Sequence, residues 1–122
     1  MSTDRLLVWI EQMREAAVQA SDYVAGMERE AFNGDKRTQQ AVILNLLVLG
    51  EIAAKCIDNE AAFVADHPDL PWASMKGMRN RIAHGYFELD IRVVWETVQR
   101  ALPDLIERLP SVVEAARSRI PD

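Results

Sequence analysis

Nine consecutive residues, Met78-Arg79-Asn80-Arg81-Ile82-Ala83-His84-Gly85-Tyr86, gather the polar chemistry of this chain. Arg79 and His84 are separated by four residues, Asn80 stands four before His84, and Tyr86 follows two after it. An always-charged guanidinium, an imidazole that titrates near neutrality and a carboxamide are suited to cleaving a phosphodiester without a metal. Arg79 would place charge on a pentavalent phosphorane, where stabilisation in the transition state counts most. Asn80 would orient His84 or a non-bridging phosphate oxygen. His84, expected at a helix C-terminus, sits at the negative end of the helix dipole, which suits a general acid or an imidazolium formed by proton abstraction.

Charge is distributed in keeping with a local site. The chain has 122 residues and a formal net charge of −5, so it should bind nucleic acid poorly as a whole. Between Trp72 and Phe87, however, lie Lys76, Arg79 and Arg81 with no acidic residue, a local +3. A small cationic site on an acidic body fits local catalysis better than a broad binding groove. No cofactor or metal is expected. The other histidine, His67, stands in a proline-rich connector beside Asp66 and Asp69 and reads as a solvated loop residue. The single cysteine, Cys56, excludes an internal disulfide and a Cys-cluster zinc site, and reads as a small core residue.

The elements that must position these residues are helical throughout. Apolar residues recur at spacings of three and four, and no segment alternates as a strand does. A first helix is expected from about Asp4 to Phe32, capped by Thr3 or Asp4, with Leu6, Ile10, Met13, Ala17, Ala20 or Ser21, Val24 and Met27 inward. Asn33-Gly34-Asp35 reads as a stop and turn. A second helix is expected from Thr38 to about Phe63, with Ala41, Leu44, Val48, Ile52 and Cys56 inward. Its segment Val42 to Leu49 is apolar nearly all round, which suits a central or interfacial helix. Asn45 there should hydrogen-bond to another helix. Glu51 should pair with Lys55 one turn on, or with an active-site arginine in the assembled protein.

Pro68 and Pro71 forbid a helix through the connector. The third helix should run from Trp72 to His84 and end at Gly85 as a left-handed cap. Asp90 should cap a fourth that carries Val94, Trp95, Val98, Ala101 and Leu102 inward. Pro103 and Pro110 imply kinks or breaks, with pieces around Asp104 to Leu109 and Ser111 to Arg119. The expected fold is a single all-α domain over residues 1–122, an up-and-down bundle of four to five helices. The N-terminus lacks a signal peptide's basic region and cleavage site, and the longest apolar run is too short to span a bilayer, so a cytoplasmic protein without membrane contact is expected.

At about 100° per residue, Met75, Met78 and Ile82 share one face of the third helix, and Gly77, Asn80 and His84 share the opposite one. Arg79 flanks the core stripe, roughly 140° from His84. The polar face does not serve the chain's own core, and Gly77 would let another backbone come close. A homodimer that joins two copies of the site across a two-fold axis is therefore expected.

The pattern Arg-x-x-x-x-His-x-Tyr resembles the signature of the HepT-like toxins of the HEPN superfamily. The likeness extends over Leu70-Pro71-Trp72, Met75, the run Met78 to Phe87, Asp90 and Val94-Trp95-Glu96-Thr97-Val98, and over Asn45 to Ala53 in the second helix. The resemblance implies a HEPN-like bundle acting as a metal-independent endoribonuclease, the toxin of a toxin–antitoxin module, with RNA as substrate. Arg79 and His84 of both protomers would line one catalytic cleft, supported by Asn80 and flanked by Arg81 and Lys76. It further implies a minimal nucleotidyltransferase of the MNT type as antitoxin, adding AMP to Tyr86. On residue type alone Tyr86 also fits a half-buried aromatic. The alternative is a non-catalytic HEPN partner that binds a nucleotide or the nucleotidyltransferase.

Overall fold

The computed structural model describes residues 2–119, with side chains from residue 5 onward. It is an all-α bundle with no strand among the described residues. Helix α1 spans Ser2–Tyr23, α2 Arg29–Asn33, α3 Lys36–Asn59, α4 Ala61–Asp66, α5 Trp72–Gly85, α6 Ile91–Glu96 and α7 Leu102–Ser118. A 3₁₀ turn, Tyr86–Glu88, follows α5, and a π turn, Thr97–Ala101, joins α6 to α7. Helix α3 is the hub: α1 packs on one side of it, α5 on the other, and α7 returns along α1. One continuous apolar core joins all four.

The first helix is shorter than the periodicity suggests. Its stripe Leu6, Ile10, Met13, Ala17, Ala20 and Val24 is buried as expected, but the helix ends at Tyr23. Gly26, at φ 78°, takes the chain into the left-handed region, which only glycine enters without strain. The chain then restarts as α2, so no helix reaches from Asp4 to Phe32. The cap expected at Thr3 or Asp4 falls on side chains outside those described.

Helix α3 begins two residues before the expected Thr38. Asp35 caps it: its carboxylate accepts from the Thr38 N–H at 3.1 Å and from the Thr38 hydroxyl at 2.6 Å. These bonds hold the Asp35 carboxyl below its ordinary range. The helix stops at Asn59, not Phe63. Glu60 leaves helical geometry, and its carboxylate lies near the guanidinium groups of Arg5 and Arg119, at 3.6 and 3.2 Å. The expected inner face holds at Ile52 and Cys56, but Ala41 and Val48 are only partly buried and the first half of the helix turns other residues inward. Val42, Ile43, Leu46, Leu49 and Ala53 are buried, whereas Leu44 is 59% exposed. A segment apolar all round offers no contrast from which to read its orientation. Asn45 is buried but donates to the carbonyl of Ala41 in its own helix, at 3.1 Å, instead of crossing to another. Cys56 is fully buried, and burial, reinforced by the Glu60 charge, pushes its thiol up to about 12. Helix α3 is long and apolar enough to cross a membrane, yet more than half of its apolar window is buried in the bundle, as befits a core helix.

The last rod departs from expectation at both prolines. Pro103 falls in the first turn of α7, where its missing N–H is no loss. Its ring crowds the carbonyl four residues back, at Gln99, and the wider π turn covers that position. Pro110 sits inside α7 without ending it, so the two short pieces are one helix. Val94, Trp95, Val98 and Leu102 point inward, but Ala101 is exposed. His67 is half-buried rather than solvated, its ring 4.4 Å from that of Phe63.

Candidate active site

Helix α5 carries the site, and its start is fixed by the connector. The Trp72 indole N–H donates to the carbonyl of His67 at 2.9 Å, and the Met75 N–H to that of Pro71 at 2.9 Å. Trp72, Met75 and Ile82 are buried, with Met78 packed beside them. This stripe turns Gly77, Asn80 and His84 away from the core, and Asn80 and His84 are exposed.

Where α5 crosses α3, the backbones touch at Gly50. A Cβ built there would run into the Arg79 Cβ and stand 2.5 Å from the Met75 carbonyl oxygen. The only residue that fits this crossing is glycine. It brings Glu51, the next residue of α3, under Arg79, whose Nη1 donates to Glu51 Oε1 at 2.9 Å. Glu51 thus pairs with Arg79 inside one chain, not with Lys55. The Arg79 side chain is 23% exposed, and its Nε is buried without a partner. A single partly exposed ion pair adds at most about 1 kcal/mol to stability; its effect here is to fix the direction of the guanidinium.

The other end of the site is a recess of about 400 Å³ between α5 and α6, walled by Asn80, Arg81, His84, Glu88, Asp90 and Val93 among others. The backbone below it departs from expectation. Gly85 has φ −148°, so it is not a left-handed cap, and the chain winds on into the 3₁₀ turn, closed by the Leu89 N–H on the Tyr86 carbonyl at 3.2 Å. Asp90 then caps α6 as expected, accepting from the Arg92 N–H at 2.9 Å. The Arg92 guanidinium grips both Asp90 oxygens, at 3.2 and 3.0 Å. Those bonds lower the Asp90 carboxyl and raise the Arg92 guanidinium from their ordinary values, so Asp90 presents little free negative charge to the recess.

The structure therefore brings Asn80, Arg81 and His84 together and directs Arg79 the other way, toward α3. Lys76 lies half-buried on α5, one turn before Asn80. Tyr86 is 42% exposed, edge-on to Phe87. No group of three or more His, Cys, Asp or Glu side chains converges as metal ligands among the described residues. Sequence reasoning missed two features: the crossing at Gly50, signalled by a glycine inside an apolar helix, and the exposure of Phe87, for which helical periodicity has no signal because the residue lies in a turn.

The family model described as "Ribonuclease HepT-like" matches residues 13–112. Among curated proteins, "Probable ribonuclease HepT" of Thermococcus cleftensis is 39% identical over 97 residues, covering 80% of this chain and 86% of that one. "Putative RNase MJ0127" of Methanocaldococcus jannaschii is 31% identical over 93 residues, covering 76% and 74%. "Putative RNase TTE0752" of Caldanaerobacter subterraneus subsp. tengcongensis is 31% identical over 91 residues, covering 75% and 79%. No solved structure matches the chain. The matched span holds the whole Met78–Tyr86 run and the α3–α5 crossing that orients it, and with that extent of agreement the chain belongs to the HepT-like ribonuclease family.

Proposed function

We propose that this protein is a metal-independent endoribonuclease whose catalytic groups are Arg79, Asn80 and His84. The observation that carries the reading is the recess in which an exposed His84 lies beside Asn80 and Arg81 at the cationic end of α5. In RNA the ribose 2′-oxygen attacks the adjacent phosphorus while the P–O5′ bond breaks, giving a 2′,3′-cyclic phosphate and a free 5′-hydroxyl. An imidazole takes the 2′-proton, a second acid protonates the leaving 5′-oxygen, and Arg79 neutralises the phosphorane.

That chemistry needs two proton-transfer groups, and one chain supplies one imidazole at this end. The His67 carbonyl accepts from the Trp72 indole at the opposite end of α5, and Trp72 stands about 18 Å of helix rise from His84. A second copy would supply the other, and would bring its own Arg79 to a site from which this chain's Arg79 turns aside. Support for a homodimer comes from the surface beside the site. Gly77 has nothing within 4 Å of an added Cβ, and it borders an open groove of about 580 Å³ formed by Leu46, Leu49, Met78, Val93 and Leu105 with their neighbours. The test is cleavage of single-stranded RNA in EDTA. Products with cyclic or 3′-phosphate ends, and no cleavage of the 2′-deoxy strand, are expected. Activity that disappears in EDTA and returns with a divalent ion would overturn the mechanism.

In this reading the protein is the toxin of a toxin–antitoxin module, working in the cytoplasm, and its antitoxin is an MNT-type nucleotidyltransferase that adds AMP to Tyr86. Tyr86 is 42% exposed and opens the turn two residues after His84, so each added phosphodiester brings about one negative charge to the groups that RNA phosphate needs. Incubation with the partner and ATP should raise the intact mass by adenylate units and silence cleavage. Tyr86→Phe should stay active and unmodified; adenylate on Tyr86→Phe as readily as on wild type would reject this acceptor. The observation on the side of a non-catalytic HEPN partner is that Glu51 already occupies Arg79, and a wild-type protein that binds the nucleotidyltransferase yet cuts no RNA would decide for it.

A further inference from the structure

Phe87 is 98% exposed, far more than any other large hydrophobic side chain among the described residues. A single exposed apolar residue is ordinary on a protein surface. This one is set apart by its position, three residues after His84 in the middle of the 3₁₀ turn, with its ring 5.9 Å from that of Tyr86 and nearly perpendicular to it. The next residue, Glu88, lines the recess together with Asn80, Arg81 and Asp90, while Phe87 itself stands outside its wall. The Glu88 carboxylate folds back over the helix end, its Oε2 3.6 Å from a Cβ built on Gly85. It stays out of the ion pairs that engage Glu51 and Asp90.

The charge of the chain sharpens the question of how a substrate is held. At a net −5 with a local +3, phosphate neutralisation over a broad face is not available. Stacking of a base on an aromatic ring does not depend on net charge and contributes strongly to single-strand binding.

We propose that the Tyr86–Glu88 turn and the adjoining recess form a nucleobase subsite, in which Phe87 stacks on a base next to the scissile phosphate and Glu88 accepts hydrogen bonds from that base's N–H edge. A carboxylate only accepts, and among the four bases guanine offers two adjacent donors, N1–H and the N2 amino group. The subsite therefore selects guanine over uracil. The proposal rests on the ribonuclease reading and adds to it the group that holds the substrate and the base that it prefers.

The experiment uses 2′-deoxy oligonucleotides carrying one ribonucleotide, so that cleavage is confined to one bond, with G, A, C or U on either side. Phe87→Ala should raise KM about tenfold or more with kcat little changed, and Phe87→Trp should restore it. Because the ring is exposed, the thermal midpoint should not move. The salt dependence of binding to 2′-O-methyl strands should keep its slope in Phe87→Ala, whereas Lys76→Ala should make it shallower by roughly 0.7. Glu88→Gln should erase the guanine preference. Wild-type cleavage with KM unchanged in Phe87→Ala overturns the subsite and leaves the ribonuclease reading standing; loss of self-association in that variant, with KM unchanged, would reassign the ring to a protein contact. A wild-type protein that neither binds nor cuts RNA overturns both.

Discussion

His84→Ala should lower the rate of RNA cleavage about 10²- to 10⁴-fold, the range that a positioned general acid–base contributes. His84 is exposed at the end of α5, so the helical circular-dichroism signal and the thermal midpoint should stay near wild type. Arg79 calls for a gentler variant, because its stem covers Gly50. Arg79→Lys keeps the charge and removes the planar fork, so a loss on the order of 10²-fold or more would identify a role in transition-state charge stabilisation, not in packing. The two variants together test how the site is assembled. In the composite site each copy supplies an imidazole and an Arg79, so mixing the inactive single variants should restore no activity, and dimers mixed from wild-type and His84→Ala chains should stay slow. Partial recovery on mixing the two inactive variants would show that one Arg79–His84 pair across the interface suffices and that a second imidazole is not needed. RNA cut equally well by both single variants would remove these residues from the mechanism.

Much of this geometry is legible in the sequence because α5 has strong contrast. Trp72, Met75 and Ile82 recur at helical spacing against a polar opposite face, so a wheel separates the core stripe from Asn80 and His84 without any structure. Helix α3 lacks that contrast. With Val42 to Leu49 nearly all apolar, its orientation is decided by how closely α5 approaches at Gly50, a property of two elements and of neither alone. The same approach decides Glu51. Its i,i+4 neighbour Lys55 is visible in sequence, but Arg79, 28 positions away, is brought within 2.9 Å only by the crossing. Helix ends escape the period where a single residue competes with it: Gly26 stops α1, and Gly85, which reads as a left-handed cap, lets the helix tighten into a 3₁₀ turn instead. That turn leaves Phe87 almost wholly exposed and Tyr86 partly so, a result that no periodicity encodes.

The two glycines on either side of α5 should respond oppositely to the same substitution. At Gly50 an added methyl meets the Arg79 Cβ and the Met75 carbonyl, neither of which is a flexible side-chain end that can swing away. The helices must part, at an overpacking cost of about 1–3 kcal/mol. The better helix propensity of alanine offsets only ~1 kcal/mol of that. Gly50→Ala should therefore lower the thermal midpoint by several degrees, and Gly50→Val should lower it further, since a branched Cβ cannot be relieved by a small shift. Activity should fall more than stability, because parting the helices separates Glu51 from Arg79 and changes the direction of the guanidinium. At Gly77 the added methyl meets nothing within the chain, so Gly77→Ala should leave the lone protomer as stable or about 0.5–1 kcal/mol more stable. If a second copy packs there, the same methyl enters the interface, and light scattering over a dilution series should show the dimer dissociating at higher concentration than wild type. A Gly77→Ala protein that is stabilised and equally dimeric would place the two-fold axis elsewhere. A Gly50→Ala protein as stable as wild type would mean that α3 and α5 do not meet as closely as the crossing at Arg79 requires.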